Sequence, residues 1–186
     1  IMGMAKNPVL RAISAVYVWL IRGTPMLVQA FFVFYAIPQL VKVMTGTAFT
    51  LTPFTAGAIT LSLNAGAYIS EIFRGGIQAV PKGQTEAARS LGLSSAKTML
   101  RVVLPQAFKI AIPSLVNQFI ITVKDTSILS VIGLAEVVNR AKQYVGSTYS
   151  FFATYVYVGA LYLVVISLLM VLSRRIEKRM SYDRKG

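Results

Sequence analysis

Two small clusters of polar residues sit inside otherwise apolar stretches of this chain. Asn64, Tyr68 and Glu71 are spaced i, i+4, i+7, which places them on one face of a helix. Lys124, Asp125, Thr126 and Ser127 follow one another near the end of another apolar stretch. Ionisable groups in such surroundings are expensive and are candidates for function by default. Together the clusters supply an amide, hydroxyls, carboxylates and an ammonium, which suit holding a polar solute by hydrogen bonds and charge. Covalent chemistry is poorly served. The chain has no Cys, so disulfides, thiolate nucleophiles and thiolate metal sites are excluded. It has no His, the commonest general base and metal ligand. No catalytic residue and no metal site is assigned. A purely structural alternative stands beside the binding one: Glu71 pairs with Arg74, Asp125 with Lys124, and Asn64 bonds between helices.

The elements that position these residues follow from composition. The chain is 55% hydrophobic and 13% charged, with a mean hydropathy of +0.65. Soluble domains carry roughly 25% charged residues. A membrane helix needs about 20 mostly apolar residues. Four such spans are legible: Pro25 to Val43, Pro53 to Phe73, Pro105 to Ile132, and Phe151 to Leu172. Lys109, Lys124 and Asp125 interrupt the third, and Pro113 should kink it. The expected fold is all-α, a polytopic helical membrane protein forming a single domain over 1–186.

The net charge of +13 then reads as basic loops on the cytoplasmic side rather than as a nucleic-acid surface. Lys6, Arg11 and Arg22 precede the first span, and Arg74, Lys82, Arg89, Lys97 and Arg101 lie between the second and third. Arg174, Arg175, Lys178, Arg179, Arg184 and Lys185 follow the fourth, whereas residues 44–52 carry no Lys or Arg. Arg140 and Lys142, after the third span, are the exception. Loop 74–104 and the C-terminus are therefore expected in the cytoplasm. Residues 8–23 are too short and too charged to cross. They suit an interfacial helix with Tyr17 and Trp19 at headgroup level, turned into the first span by Arg22-Gly23-Thr24-Pro25. The apolar stub from Ile1 to Ala5 resembles the end of a further span.

Between spans two and three lies a polar, basic insertion. Pro81-Lys82-Gly83 should end the preceding helix. Gln84 to Leu91 is made of good helix formers. Gly92 falls where a helix end wants a left-handed residue. Ser94 and Ser95 are natural N-caps for a second helix from Ala96 to Leu104, stopped by Pro105. Helix, glycine, helix makes a knob. Ala87 and Ala88 permit close approach of another surface, while Glu86 and Arg89 share a face.

Glu86-Ala87-Ala88, Gly92 and Val102-Val103-Leu104-Pro105 resemble the EAA loop of permease subunits in ATP-binding-cassette importers. Arg22-Gly23-Thr24-Pro25, the run Ala67 to Ile77, and the run Lys124 to Gly133 resemble the polar amino-acid branch of that family, the histidine/glutamine/arginine type. Val102 departs from it, since Ile is commoner there. The resemblance implies five spans in the intact protein and a coupling loop at 84–104. In it, Gln84, Glu86, Ala87, Ala88, Arg89 and Gly92 would meet an ATPase dimer. It further implies a second permease subunit, most simply a homodimer, an extracytoplasmic solute-binding protein, and a bacterial inner or plasma membrane as the site. No GxxxxGK[ST] loop is present, so ATP and Mg²⁺ are expected on the partner and no cofactor on this chain. For an amino-acid zwitterion, Asn64 and Ser127 would serve as donors to the carboxylate, and Glu71 or Asp125 as acceptors for the ammonium. Tyr68 and Thr126 complete the expected substrate set. A cationic amino acid (arginine, lysine or histidine) is the expected cargo, with glutamine or glutamate on the same machinery, or a secondary amino-acid transporter, as alternatives.

Overall fold

In the structure, a computed structural model, residues 7–182 are described, with side chains as far as 176. The stub at 1–6 and the basic side chains Lys178, Arg179, Arg184 and Lys185 lie outside the described residues. Seven helical elements follow in chain order: α1 (Pro8–Gly23), α2 (Met26–Thr45), α3 (Pro53–Gln78), α4 (Lys82–Ser90), α5 (Ser95–Ile132), α6 (Val137–Thr148) and α7 (Phe151–Tyr182). No strand occurs among the described residues.

Helices α2, α5 (over Ser95–Ile132) and α7 (over Phe151–Ile176) are long and apolar enough to cross a membrane. The expected second span, α3, has 26 residues and is ~39 Å long at 1.5 Å per residue. It does not reach the same apolarity. The reason is its position: α3 packs against α1, α2 and α5 and is the shared wall of the bundle. Its buried face is made of Ala56, Gly57, Thr60, Asn64, Ala67 and Gly76. Helix contacts inside a membrane favour such small and polar residues, because lipid supplies no hydrophobic drive between helices. At Gly76 an added Cβ would lie 2.8 Å from the Ala107 carbonyl oxygen, so the α3–α5 crossing depends on glycine there. A compact apolar cluster of Ala30, Val33, Ala56, Leu129 and Ile132 ties α2, α3 and the end of α5 together.

Two expectations need correction. First, Tyr17 is not turned to headgroups. Its hydroxyl donates to the Leu63 carbonyl at 2.6 Å, midway along α3, while Trp19 stays exposed. Second, Pro105 does not end a helix. Met99–Val103 forms a π turn in which the Leu104 N–H reaches the Met99 carbonyl, and the helix continues through Pro105. Proline lacks the N–H that an α turn would require, and a local π turn accommodates the mismatch. The final helix extends past its apolar span, through the basic segment to Tyr182. Pro113 lies within the continuous helix Leu104–Asp125, which ends in a 3₁₀ segment, Thr126–Ile132.

Candidate solute cavity and coupling knob

Where α1 meets α2, the chain turns through Gly23-Thr24-Pro25, and a side chain from the next helix pins that turn. The Gln29 amide nitrogen donates to the carbonyl oxygens of Ile21 (2.7 Å) and Thr24 (3.0 Å) and to the Thr24 hydroxyl oxygen (3.0 Å). Its own carbonyl oxygen accepts from the Asn64 amide at 3.1 Å. Asn64 is thus fixed by a residue 35 positions earlier. Beside this network lies a cavity of about 300 Å³, walled by Thr24, Asn64, Tyr68, Gln118, Ile121 and Asp125. Helices α3 and α5 present these groups to one space because their small-residue faces bring the backbones together.

Of the expected substrate set, the cavity joins Asn64, Tyr68 and Asp125. It does not include Glu71, Thr126 or Ser127. Glu71 is bound on both sides: Arg74 donates to it at 2.6 and 2.9 Å, and Arg22 at 3.3 Å. The Arg22 guanidinium also lies over the Tyr68 ring, 5.2 Å from its centroid. The structural alternative therefore describes Glu71. Thr126 and Ser127 donate to the carbonyls of Val123 and Lys124, both at 2.7 Å, where the α-helix gives way to 3₁₀. Ser127 lines a second, shallower pocket of about 530 Å³ with Lys124, Val138 and Tyr162, and Asp125 reaches that pocket as well.

Gln29, Gln118 and Thr24 were not among the substrate-site residues expected from the sequence. A signal existed for two of them, since Gln29 and Gln118 are amides inside long apolar runs, and polar groups there need a reason. Among the described residues no side chain donates a hydrogen bond to the Asp125 carboxylate, and no group of three or more acidic, His or Cys residues forms a metal-ligand cluster.

At the other end of α3 the knob has the helix, glycine, helix order, but Lys82 and Gly83 open α4 instead of ending the preceding helix, which stops at Gln78, and the second helix runs on past Pro105. Helix α4 is followed by Gly92 at φ +83°, and the Ser94 hydroxyl caps α5 by accepting from the Lys97 N–H. The Arg89 guanidinium does not pair with Glu86; it donates to the Leu93 carbonyl at 3.1 Å and braces the turn. Ala88 is buried against the knob, whereas Gln84, Glu86 and Ala87 are exposed. Gln84 accepts a hydrogen bond from Gln106 at 3.3 Å, linking α4 to α5. Leu91 is 84% exposed at the tip, so the knob presents an apolar side chain to whatever meets it.

The sequence matches, over residues 1–182, the family described as "Binding-protein-dependent transport system inner membrane component". It is 42% identical over 179 residues to the L-cystine transport system permease protein TcyB of Bacillus subtilis (strain 168), covering 95% of this chain and 73% of that one. It is 38% identical over 168 residues to the arginine transport system permease protein ArtQ of the same organism, covering 90% of this chain and 74% of that one. The glutamine transport system permease protein GlnP of Escherichia coli (strain K12) gives the same figures, 38% over 168 residues, with 90% and 74% covered. The fold superimposes on a crystal structure of "an amino acid ABC transporter with histidines" with a TM-score of 0.88 at 38% identity. That match covers 96% of this chain and 80% of the other.

Proposed function

The chain belongs to the binding-protein-dependent transport inner membrane component family, as an amino-acid ABC permease subunit and not an enzyme, and on that premise we propose that the α3–α5 cavity holds the amino acid in transit. The observation that carries this reading is the convergence of Asn64, Tyr68, Gln118 and Asp125 on one space between membrane helices. Its polar walls carry unused acceptors, and its one carboxyl group is that of Asp125. A cationic amino acid fits that balance, with Asp125 offsetting the side-chain charge. An unpaired charge in such surroundings costs several kcal/mol.

The knob is the part that meets the ATPase dimer. Gln84, Glu86, Ala87 and Leu91 form its free surface, Gly92 sets its shape, and Ala88 and Arg89 hold it together. In this reading ATP and Mg²⁺ reside on the ATPase, a second copy of this chain completes the pathway, and a solute-binding protein delivers cargo from outside. ATP-driven closure of the ATPases moves the knob. Because α3 enters the knob and α5 leaves it, that motion tilts the two helices that wall the cavity. Coupling between distant sites needs such a shared element with two arrangements. The knob and the C-terminal end of α7 face the cytoplasm. The absence of native Cys makes the topology testable: Leu91→Cys should label only from inside and Thr47→Cys only from outside, and reversed labelling would overturn it.

The test of cargo is uptake by the reconstituted complex. Asp125→Asn should lower arginine uptake at least tenfold, about 1.4 kcal/mol, while ATPase binding is kept. Unchanged arginine uptake would instead favour a neutral cargo such as glutamine. ATP hydrolysis stimulated by the solute-binding protein distinguishes an ABC importer from a secondary carrier.

A further inference from the structure

The hydrogen bonds around Gln29 fix more than a turn. Its amide nitrogen faces two backbone carbonyls, Ile21 and Thr24, which only accept. The Gln29 side chain therefore has its NH₂ towards the turn and its carbonyl oxygen towards Asn64. That oxygen, 3.1 Å from Asn64, requires a donor, so Asn64 must present its NH₂ to Gln29. One N–H of Asn64 is thereby engaged, and the side-chain atom left with no partner at all is its carbonyl oxygen. It accepts no hydrogen bond from the described residues. It is not sealed in protein either, since the Thr98 hydroxyl is the one buried, unpartnered side-chain polar atom among them.

Beside the expectation that Asn64 donates to a substrate carboxylate stands a second role: one of its two N–H groups is taken by Gln29, and its carbonyl oxygen is held in place as a free acceptor. Gln118 repeats the logic on α5. The Thr122 hydroxyl donates to the Gln118 backbone carbonyl (2.9 Å) and accepts from the Gln118 amide nitrogen (3.4 Å), which leaves the side-chain oxygen of Gln118 unspent. Two amides with unpartnered oxygens, Asn64 and Gln118, thus line one cavity together with Asp125.

We propose that Gln29 is a positioning residue that fixes the Asn64 side-chain carbonyl as an acceptor for the α-ammonium group of the transported amino acid. This rests on the cavity assignment made above. The α-ammonium is the cation every amino acid carries, so this subsite is independent of the side chain, while Asp125 remains available to a cationic one. A carbonyl oxygen held by a second amide keeps its orientation as solute comes and goes, and the solute does not have to order it.

The test is equilibrium binding to the detergent-purified permease–ATPase complex, with L-arginine and L-glutamine each compared with its α-hydroxy analogue. In the wild type, replacing the ammonium by hydroxyl should weaken binding. Asn64→Leu should weaken the amino acids about tenfold, the scale of one hydrogen bond to a charged group, and leave the α-hydroxy analogues nearly unchanged. Gln29→Met should weaken them comparably, and the double variant should be no worse than either single one. A Gln29 that merely braced the turn would give additive losses. Additive losses, wild-type affinity in Gln29→Met, or equal losses for amino acid and α-hydroxy analogue would each overturn the proposal. If the wild-type complex binds neither amino acid, the cavity assignment itself falls. The assembly of each variant with the ATPase, measured by co-purification, separates folding failure from these outcomes, and Asn64→Ala serves where Leu disrupts assembly.

Discussion

The cavity and the knob are joined through α3 and α5 and are held in opposite ways. At the cavity, long-range contacts fix the groups: Gln29 grips Asn64 across 35 residues, and Tyr17 reaches Leu63 across 46. At the knob the turn contacts are local, with Gln106 to Gln84 the longer tie, across 22 residues. Arg89 bonds Leu93, Ser90 bonds the Glu86 carbonyl, and Ser94 caps Lys97. One region is set by the bundle, the other by its own turns. A knob with its own internal brace moves as a rigid piece. A cavity whose walls come from separate helices changes shape when those helices shift. The contrast suits a part that transmits motion and a part that responds to it.

The comparison can be broken most severely where the two regions share a wall. Gly76→Leu puts a branched side chain against the Ala107 carbonyl, which already stands 2.8 Å from the position of an added Cβ. It should cost about 1–3 kcal/mol or more and reduce the folded yield in membranes, measured by size-exclusion recovery and thermal melting. Gly76→Ala should show the same direction in smaller measure. Wild-type melting of both would show that α3 and α5 have room to spare.

Gly92→Val comes next and strikes the knob alone. Nothing lies within 4 Å of an added Cβ, so any penalty is one of backbone at φ +83°. A β-branched residue there should cost about 1–2 kcal/mol, distort the turn and weaken ATPase co-purification, with membrane insertion intact. Gly92→Asn should recover much of the loss, because Asn tolerates the left-handed region. Equal co-purification by all three would remove the link between turn geometry and docking.

Ser94→Ala removes the cap at the start of α5 and should cost about 1 kcal/mol, lowering thermal stability slightly and solute affinity not at all. A change in solute affinity would mean that the knob and cavity are not separable as argued. The smallest effect is expected from Glu71→Gln. Its arginine partners are substantially exposed, so the pairs are worth at most about 1 kcal/mol. Uptake affinity should stay within about threefold of wild type, given that Glu71 lies outside the cavity. A tenfold loss would return Glu71 to the substrate site.

Much of the architecture was legible in the chain because its signals are local. Long apolar runs, a left-handed glycine after a helix and serines before the next one are each properties of a few neighbouring residues. They gave the helices, the knob and its turn. Local signals also misled where a neighbour decided the outcome. Pro105 reads as a stop, yet the π turn before it carries the helix on. Tyr17 reads as an interfacial residue, yet α3 supplies a carbonyl that its hydroxyl can reach.

The sequence by itself thus determined that this chain is a helical membrane protein with a polar knob, and that Asn64, Tyr68 and Asp125 are costly where they stand. Only the tertiary structure decided which of these face one another. Glu71, one turn beyond Tyr68 on α3, is taken up by Arg22 and Arg74 instead of the cavity. Whether Asn64 offers a donor or an acceptor was beyond any reading of Asn64 itself. An amide carries both, and which way it is turned depends on a partner that the bundle brings from 35 residues away.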